Sequence, residues 1–101
     1  MPHSVYTESV FEWDPRKAAV NAAKHGVTFD FAVTVFLDPN ALDGPDLRHS
    51  ATEARALRLG RAADGRVLMV AYTLRRTNDV EKIRLISARR ASRRERAAYR
   101  A

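Results

Sequence analysis

The chain has 101 residues, no cysteine, and 18 Lys+Arg against 12 Asp+Glu, a formal net charge of +6. That length implies a single domain, residues 1–101, with one modest core, and the missing thiols exclude a disulfide framework and cysteine chemistry. No apolar run approaches the roughly 20 residues of a membrane-spanning helix, and residues 1–9 lack the basic and apolar regions of a signal peptide, so a cytoplasmic protein with no membrane partner is expected.

Residues 1–9 read as a loose leader. Val10–Trp13 is aromatic-rich and reads as a short first strand. Asp14 suits an N-cap and Pro15 the first helical position, where its missing N–H is no loss. The helix runs to Gly26, a residue that favours the position just past a helix end. Ala18, Ala19, Ala22 and Ala23 form a small face for close packing, and Lys24 and His25 fall in the last turn, where cations suit the helix dipole. Thr28 caps a second helix. Phe29, Ala32, Val33, Phe36 and Leu37 repeat at i, i+3, i+4, i+7, i+8, an amphipathic helix that Asp38-Pro39 ends.

Ala41–Pro45 reads as a brief edge strand and 46–51 as loop. Arg55–Arg61 alternates as a strand, and Asp64-Gly65 is a hairpin turn. Val67–Leu74 is apolar throughout, which predicts a central strand covered on both faces. Arg75–Glu81 is polar and reads as a loop. Ile83–Ser87 is branched and apolar, a last strand. Ser92-Arg-Arg-Glu95 has the spacing of a capping box, which predicts a docked terminal helix at Arg93–Arg100 within a basic segment 92–100. The order β-α-α-β-β-β-β-α implies an α+β domain: a mostly antiparallel sheet packed by an N-terminal helical hairpin.

The charge is concentrated. Residues 82–101 carry eight basic side chains and one carboxylate, net +7, while residues 1–81 are net −1. Like charges about 6 Å apart repel by roughly 0.7 kcal/mol even in water, so a segment this one-sided implies an acidic partner. The histidines lie far apart with no i, i+4 pairing, and no metal motif, P-loop or nucleophile elbow is present, so no metal or cofactor is expected. What remains is a set of acid–base groups among arginines: His25, His49 with Glu53 and Arg55 after it, and Tyr99. Such a set fits metal-free cleavage of RNA, and simple binding of nucleic acid or protein would explain the same charges. A base deprotonates the 2′-OH, an acid protonates the leaving 5′-oxygen, and arginines hold the charge on the pentavalent phosphate.

The sequence F-E-W-D-P-R-K-A-A-V-N-A-A-K-H-G-V-T-F at Phe11–Phe29 resembles the N-terminal signature of BrnT-type toxins. The resemblance continues through A-x-x-V-F-x-D-P at Ala32–Pro39, H-S-x-x-E-x-R at His49–Arg55, V-A-Y-T at Val70–Thr73 and I-R-L-I-S-A-R-R-A-S-R-R-E-R-x-x-Y at Ile83–Tyr99. It implies a RelE/ParE-like fold and a ribonuclease that halts translation. It also implies a BrnA-like ribbon-helix-helix antitoxin, a heterotetramer of two toxins and two antitoxins, and operator DNA bound through the antitoxin. On this reading His25, His49, Glu53, Arg55, Arg84 and Tyr99 are candidate catalytic residues, with Glu53 or His49 as base and His25 or Tyr99 as acid. Lys24, Arg89, Arg90, Arg93 and Arg94 are candidate contacts to nucleic acid. Two other readings use the same scaffold: a toxin that binds a different target, or a non-enzymatic co-repressor partner. Aromatic side chains near the basic end are limited to Tyr72 and Tyr99, which implies little base-stacking recognition.

Overall fold

The computed structural model describes residues 10–48 and 54–100. The elements are β1 (Phe11–Glu12), α1 (Pro15–His25), α2 (Phe29–Ala32), a 3₁₀ helix (Val33–Leu37), β2 (Leu42–Pro45), β3 (Ala56–Arg61), β4 (Val67–Thr77), β5 (Val80–Arg90) and α3 (Arg93–Arg100). They form an α+β domain with one mixed five-stranded sheet, ordered β1-β5-β4-β3-β2. β1 pairs parallel with β5, and the other neighbours pair antiparallel.

Local chemistry starts and stops α1 as read from the sequence. The Asp14 carboxylate accepts from the Arg16 N–H at 2.8 Å, and Gly26 takes φ 68° while its N–H donates to the Ala22 carbonyl at 2.9 Å. Only half of the alanine face turns inward: Ala18 packs against the core and Ala22 is half-buried. Ala19 and Ala23 are exposed, and the buried residue of α1 is Asn21. Its side-chain N–H groups donate to the carbonyls of Val27 (2.9 Å) and Ala88 (2.8 Å), and its Oδ1 accepts from the Ala88 N–H at 3.0 Å. β1 pairs with β5 only at Ile83 and Arg84. Further along, the Asn21 amide stands in for a neighbouring strand and satisfies both backbone groups of Ala88.

The expected single amphipathic helix over 29–37 breaks after one turn. Thr28 caps it, accepting from the Phe31 N–H at 3.2 Å, but from Val33 the chain tightens into the 3₁₀ form. The run Val33-Thr34-Val35 is β-branched, which weakens α-helix. The Thr34 hydroxyl donates to the Phe31 carbonyl (2.7 Å) and accepts from the Ala63 N–H (2.9 Å), tying the segment to the β3–β4 turn. The change of pitch rotates Val35 into the core beside Phe36 and leaves Leu37 58% exposed.

This 3₁₀ helix lies close against β3 because Gly60 has no side chain. A Cβ built there would sit 3.1 Å from Ala41 Cβ and 3.2 Å from both Val35 Cβ and the Val35 carbonyl oxygen. Gly60→Ala is therefore expected to destabilise the fold by about 1–3 kcal/mol through overpacking, read as a lowered urea midpoint.

The core lies between the helices and one face of the sheet: Val27, Phe29, Ala32, Val35 and Phe36 against Leu68, Val70, Tyr72, Leu85 and Ala88. Phe36 packs between Phe11 and Tyr72, at ring-centroid distances of 5.2 and 5.1 Å. Tyr72 is buried, and its hydroxyl donates to Asp43 at 2.8 Å, so it is structural and not a free stacking platform. Burial and the Asp43 carboxylate push its pKa up to about 12. Arg58 closes this region, donating to the Val35 and Asp38 carbonyls and to Asp43.

One further expectation is corrected and another refined. Residues 75–81 are not a loop. β4 and β5 continue through them, joined by a two-residue turn in which Asn78 and Asp79 take φ 52° and 66°, as a tight hairpin of primed type requires. Val67–Leu74 belongs to the central strand and is buried on both faces over part of its length, Ala71 and Thr73 on the second face included, but the two covers differ. Leu68, Val70 and Tyr72 meet the helical layer, while Met69 and Ala71 line an open cavity on the other side.

Candidate functional site

Cross-strand register decides which residues share that second face. Leu57 pairs with Ala71, Leu59 with Met69, Met69 with Arg89, Ala71 with Ser87, and Thr73 with Arg84. Side chains at paired positions lie on the same side of a sheet. Arg84 and Arg89 therefore rise from β5 on the face opposite the helical core. One irregularity interrupts the row: Ala71 pairs with Ser87 but Tyr72 with Leu85, so Ile86 is an extra, bulged residue.

A cavity of about 440 Å³ sits on this face. Its floor is Leu57, Met69, Ala71 and Ile86, and its polar wall is Asp46, Arg48, Arg55, Ser87 and Arg89. The Asp46 N–H donates to the Arg55 carbonyl at 2.9 Å, which carries the β2–β3 pairing one step further and brings both residues to the rim. Three guanidinium groups around one cavity form a site for an anion with several oxygen atoms, because each planar fork can donate two parallel hydrogen bonds. The buried carboxylate of Asp46 is the acidic member of the wall.

Arg89 is held in place by the terminal helix. Its two terminal nitrogens donate to the Glu95 carboxylate at 2.8 and 2.9 Å. Glu95 also accepts from the Ser92 N–H (2.8 Å), and the Ser92 hydroxyl accepts from the Glu95 N–H (3.1 Å), the reciprocal bonds of a capping box. Arg89 above all, with the Ser92 bonds, holds the Glu95 carboxyl at about 2, and Glu95 in turn raises the Arg89 guanidinium. At its far end α3 is tied by Tyr99, whose hydroxyl donates to Asp38 at 2.6 Å while the Arg61 guanidinium lies 5.4 Å from its ring centre. Burial raises the Asp38 carboxyl, but bonds from Tyr99, the Arg61 N–H and the Asn40 N–H, with the charge of Arg58, bring it below the usual range. Both anchoring carboxylates are thus depressed in the folded state.

The contribution of Glu95 is present above its ordinary pKa near 4.5 and fades as pH falls towards 2, and that of Asp38 is likewise lost on acidification. α3 is expected to loosen in that window, with faster amide exchange at Arg96. Glu95→Gln is expected to remove about 1–2 kcal/mol at pH 7, after allowance for solvent screening, and to flatten that acid dependence.

The residues singled out from the sequence divide as follows. Arg55 and Arg89 come together in the cavity. Arg84 shares the face but lies outside the cavity wall, where its guanidinium meets Glu12 at 3.4 Å. Tyr99 is placed against Asp38 and Arg61, away from Arg84. Lys24 and His25 line a separate groove between α1 and β5. Arg90, Arg93 and Arg94 are exposed and line none of these cavities. His49 and Glu53 lie outside the described residues. Asp46 and Arg48 were missed in the sequence reading. Both stand in a polar stretch that looks like solvated loop, and only the pairing of Asp46 with Arg55 and the cavity that Arg48 lines reveal their place. Among the described residues no group of three or more His, Asp or Glu is placed to hold a metal ion, and no helix is long and apolar enough to cross a membrane.

Comparison with known proteins adds to this geometry. The model of a family described as the ribonuclease toxin, BrnT, of type II toxin–antitoxin systems matches residues 13–95. Among solved structures, the chain is similar to the Brucella abortus ribonuclease toxin BrnT, determined by crystallography at 1.1 Å resolution, with a TM-score of 0.55 and 24% identity. The match covers 82% of this chain and 96% of that one, and is a likeness of fold. No curated protein sequence matches the chain.

Proposed function

This chain belongs to the BrnT family of type II ribonuclease toxins, and on that premise we propose that it is an endoribonuclease that cleaves RNA at the arginine-lined cavity. The observation that carries the reading is the meeting of Arg48, Arg55 and Arg89 around one recess beside a buried carboxylate. The 2′-oxygen attacks the adjacent phosphorus, the bond to the 5′-oxygen breaks, and the products are a 2′,3′-cyclic phosphate and a 5′-hydroxyl. The guanidinium groups stabilise the added negative charge of the pentavalent phosphate. Glu53 or Asp46 accepts the 2′-OH proton, and His49, which follows Arg48 in the sequence, protonates the leaving oxygen. His25 and Tyr99 are not assigned the acid role, since one lines another groove and the other donates to Asp38.

The reaction is metal-independent on this reading. Three guanidinium groups and one carboxylate suit an anion better than a cation. In the cell the activity arrests translation and a BrnA-like ribbon-helix-helix antitoxin neutralises it. Toxin and antitoxin assemble two to two, contact operator DNA through the antitoxin, and reside in the cytoplasm. The α+β architecture, with its open sheet face beside a C-terminal helix, supports a RelE/ParE-like relationship. Incubating the purified chain with RNA in EDTA tests the proposal. Fragments ending in cyclic phosphate are expected. Intact RNA in EDTA and with added magnesium would overturn it, and blocked replication beside intact RNA would point to another target.

A further inference from the structure

The side of α1 that borders β5 is cationic. Between Pro15 and His25 it carries Arg16, Lys17, Lys24 and His25 and no carboxylate. Val20 stands among these cations and is 65% exposed. Beside it runs a groove of about 320 Å³ between α1 and β5, with Ile86 and Ser87 as its far wall. The nearest carboxylates face elsewhere: Asp14 accepts from the Arg16 N–H, and Glu12 meets Arg84. A cationic rim around an aliphatic centre complements an acidic protein segment with a branched apolar residue at its middle. A phosphate backbone would use the charges and gain nothing from Val20.

We infer that this groove is the docking site of an acidic, amphipathic segment of the antitoxin. The inference rests on the family assignment but not on the catalytic reading. Its consequence follows from the bulge. Ile86 and Ser87 wall both the groove and the arginine-lined cavity, so one strand separates the two. The cavity runs from β5 across β4 to β3, two strand spacings of about 5 Å each, so a segment seated in the groove needs to extend about 10 Å beyond β5 to cover its mouth. Neutralisation then occurs by steric cover from the α1 side.

The test uses the full chain and its purified cognate antitoxin. The double variant Val20→Asp with Lys17→Glu is compared with Arg100→Glu on α3 by titration calorimetry. In parallel, binding and cleavage of a labelled single-stranded RNA oligonucleotide are measured for each free protein. The groove variant is expected to weaken antitoxin binding by about 30-fold or more and to resist neutralisation, with RNA binding unchanged. Arg100→Glu is expected to change antitoxin binding less than threefold. Antitoxin affinity unchanged in the groove variant, equal losses in both variants, or lost RNA binding in the groove variant would each overturn the inference. If the wild-type chain leaves RNA intact, only the catalytic reading fails, since the calorimetry stands by itself.

Discussion

Replacing Arg89 by alanine is expected to lower RNA cleavage by about 10²–10³-fold, the usual loss when one preorganised donor to a developing oxyanion is removed. Arg89 has two attachments, so the result needs a partner experiment. Its guanidinium lines the cavity and also bridges to Glu95. Glu95→Gln removes the charge of the bridge but keeps one side-chain oxygen to accept from the guanidinium, which stays present in the chain. That variant is expected to be less stable yet to retain cleavage within about tenfold of wild type. Equal losses of cleavage in Arg89→Ala and Glu95→Gln at a temperature where both are folded would show that Arg89 acts only by fixing α3. Arg55→Ala should fall with Arg89→Ala. The pair should lose less together than the product of the single losses if the two groups hold one phosphate, as proposed.

The largest expected effect on stability comes from a residue with no part in the chemistry. Asn21→Ala leaves the N–H and carbonyl of Ala88 without their amide partner and removes a donor from the Val27 carbonyl, all in a buried region. Each buried group left without a partner costs about 1–3 kcal/mol. A total near 3 kcal/mol is a large share of the 5–15 kcal/mol typical of a small domain, and predicts a Tm lower by about 12–24 °C. Asn21→Asp should not rescue it. The carboxylate keeps the acceptor for the Ala88 N–H but turns a negative charge towards two carbonyls. Urea unfolding with a lowered midpoint and an unchanged slope would match the expectation. A loss under 1 kcal/mol would mean that water replaces the amide.

By itself the sequence determined what depends on neighbours within a few positions. Asp14-Pro15 and Gly26 bound α1, Asp64-Gly65 makes the β3–β4 turn, and Ser92 with Glu95 forms the capping box. Each is a bond or a backbone angle set by one to three residues, so composition and spacing suffice. The same locality misled at 75–81. There Asn78-Asp79 is the turn signal, and the charged residues beside it are strand residues of a projecting ribbon. It misled at 29–37 as well, where contact with Gly60 and the β3–β4 turn accompanies a switch to 3₁₀ pitch.

Only the tertiary structure decided which cations share a cavity. Arg55 and Arg89 meet because β3 and β5 both flank β4 in one register. A slip by one residue would send either to the opposite face. Tertiary pairing likewise drew Asp46 to the rim, where Arg48 also lines the cavity, and His25 lines a separate groove beyond β5. It turned Asn21, a polar residue in an alanine-rich helix, into the partner of a strand. Charge and caps are properties of the local chain, but a site is a set of distances between residues remote in sequence, and those follow from strand order and register.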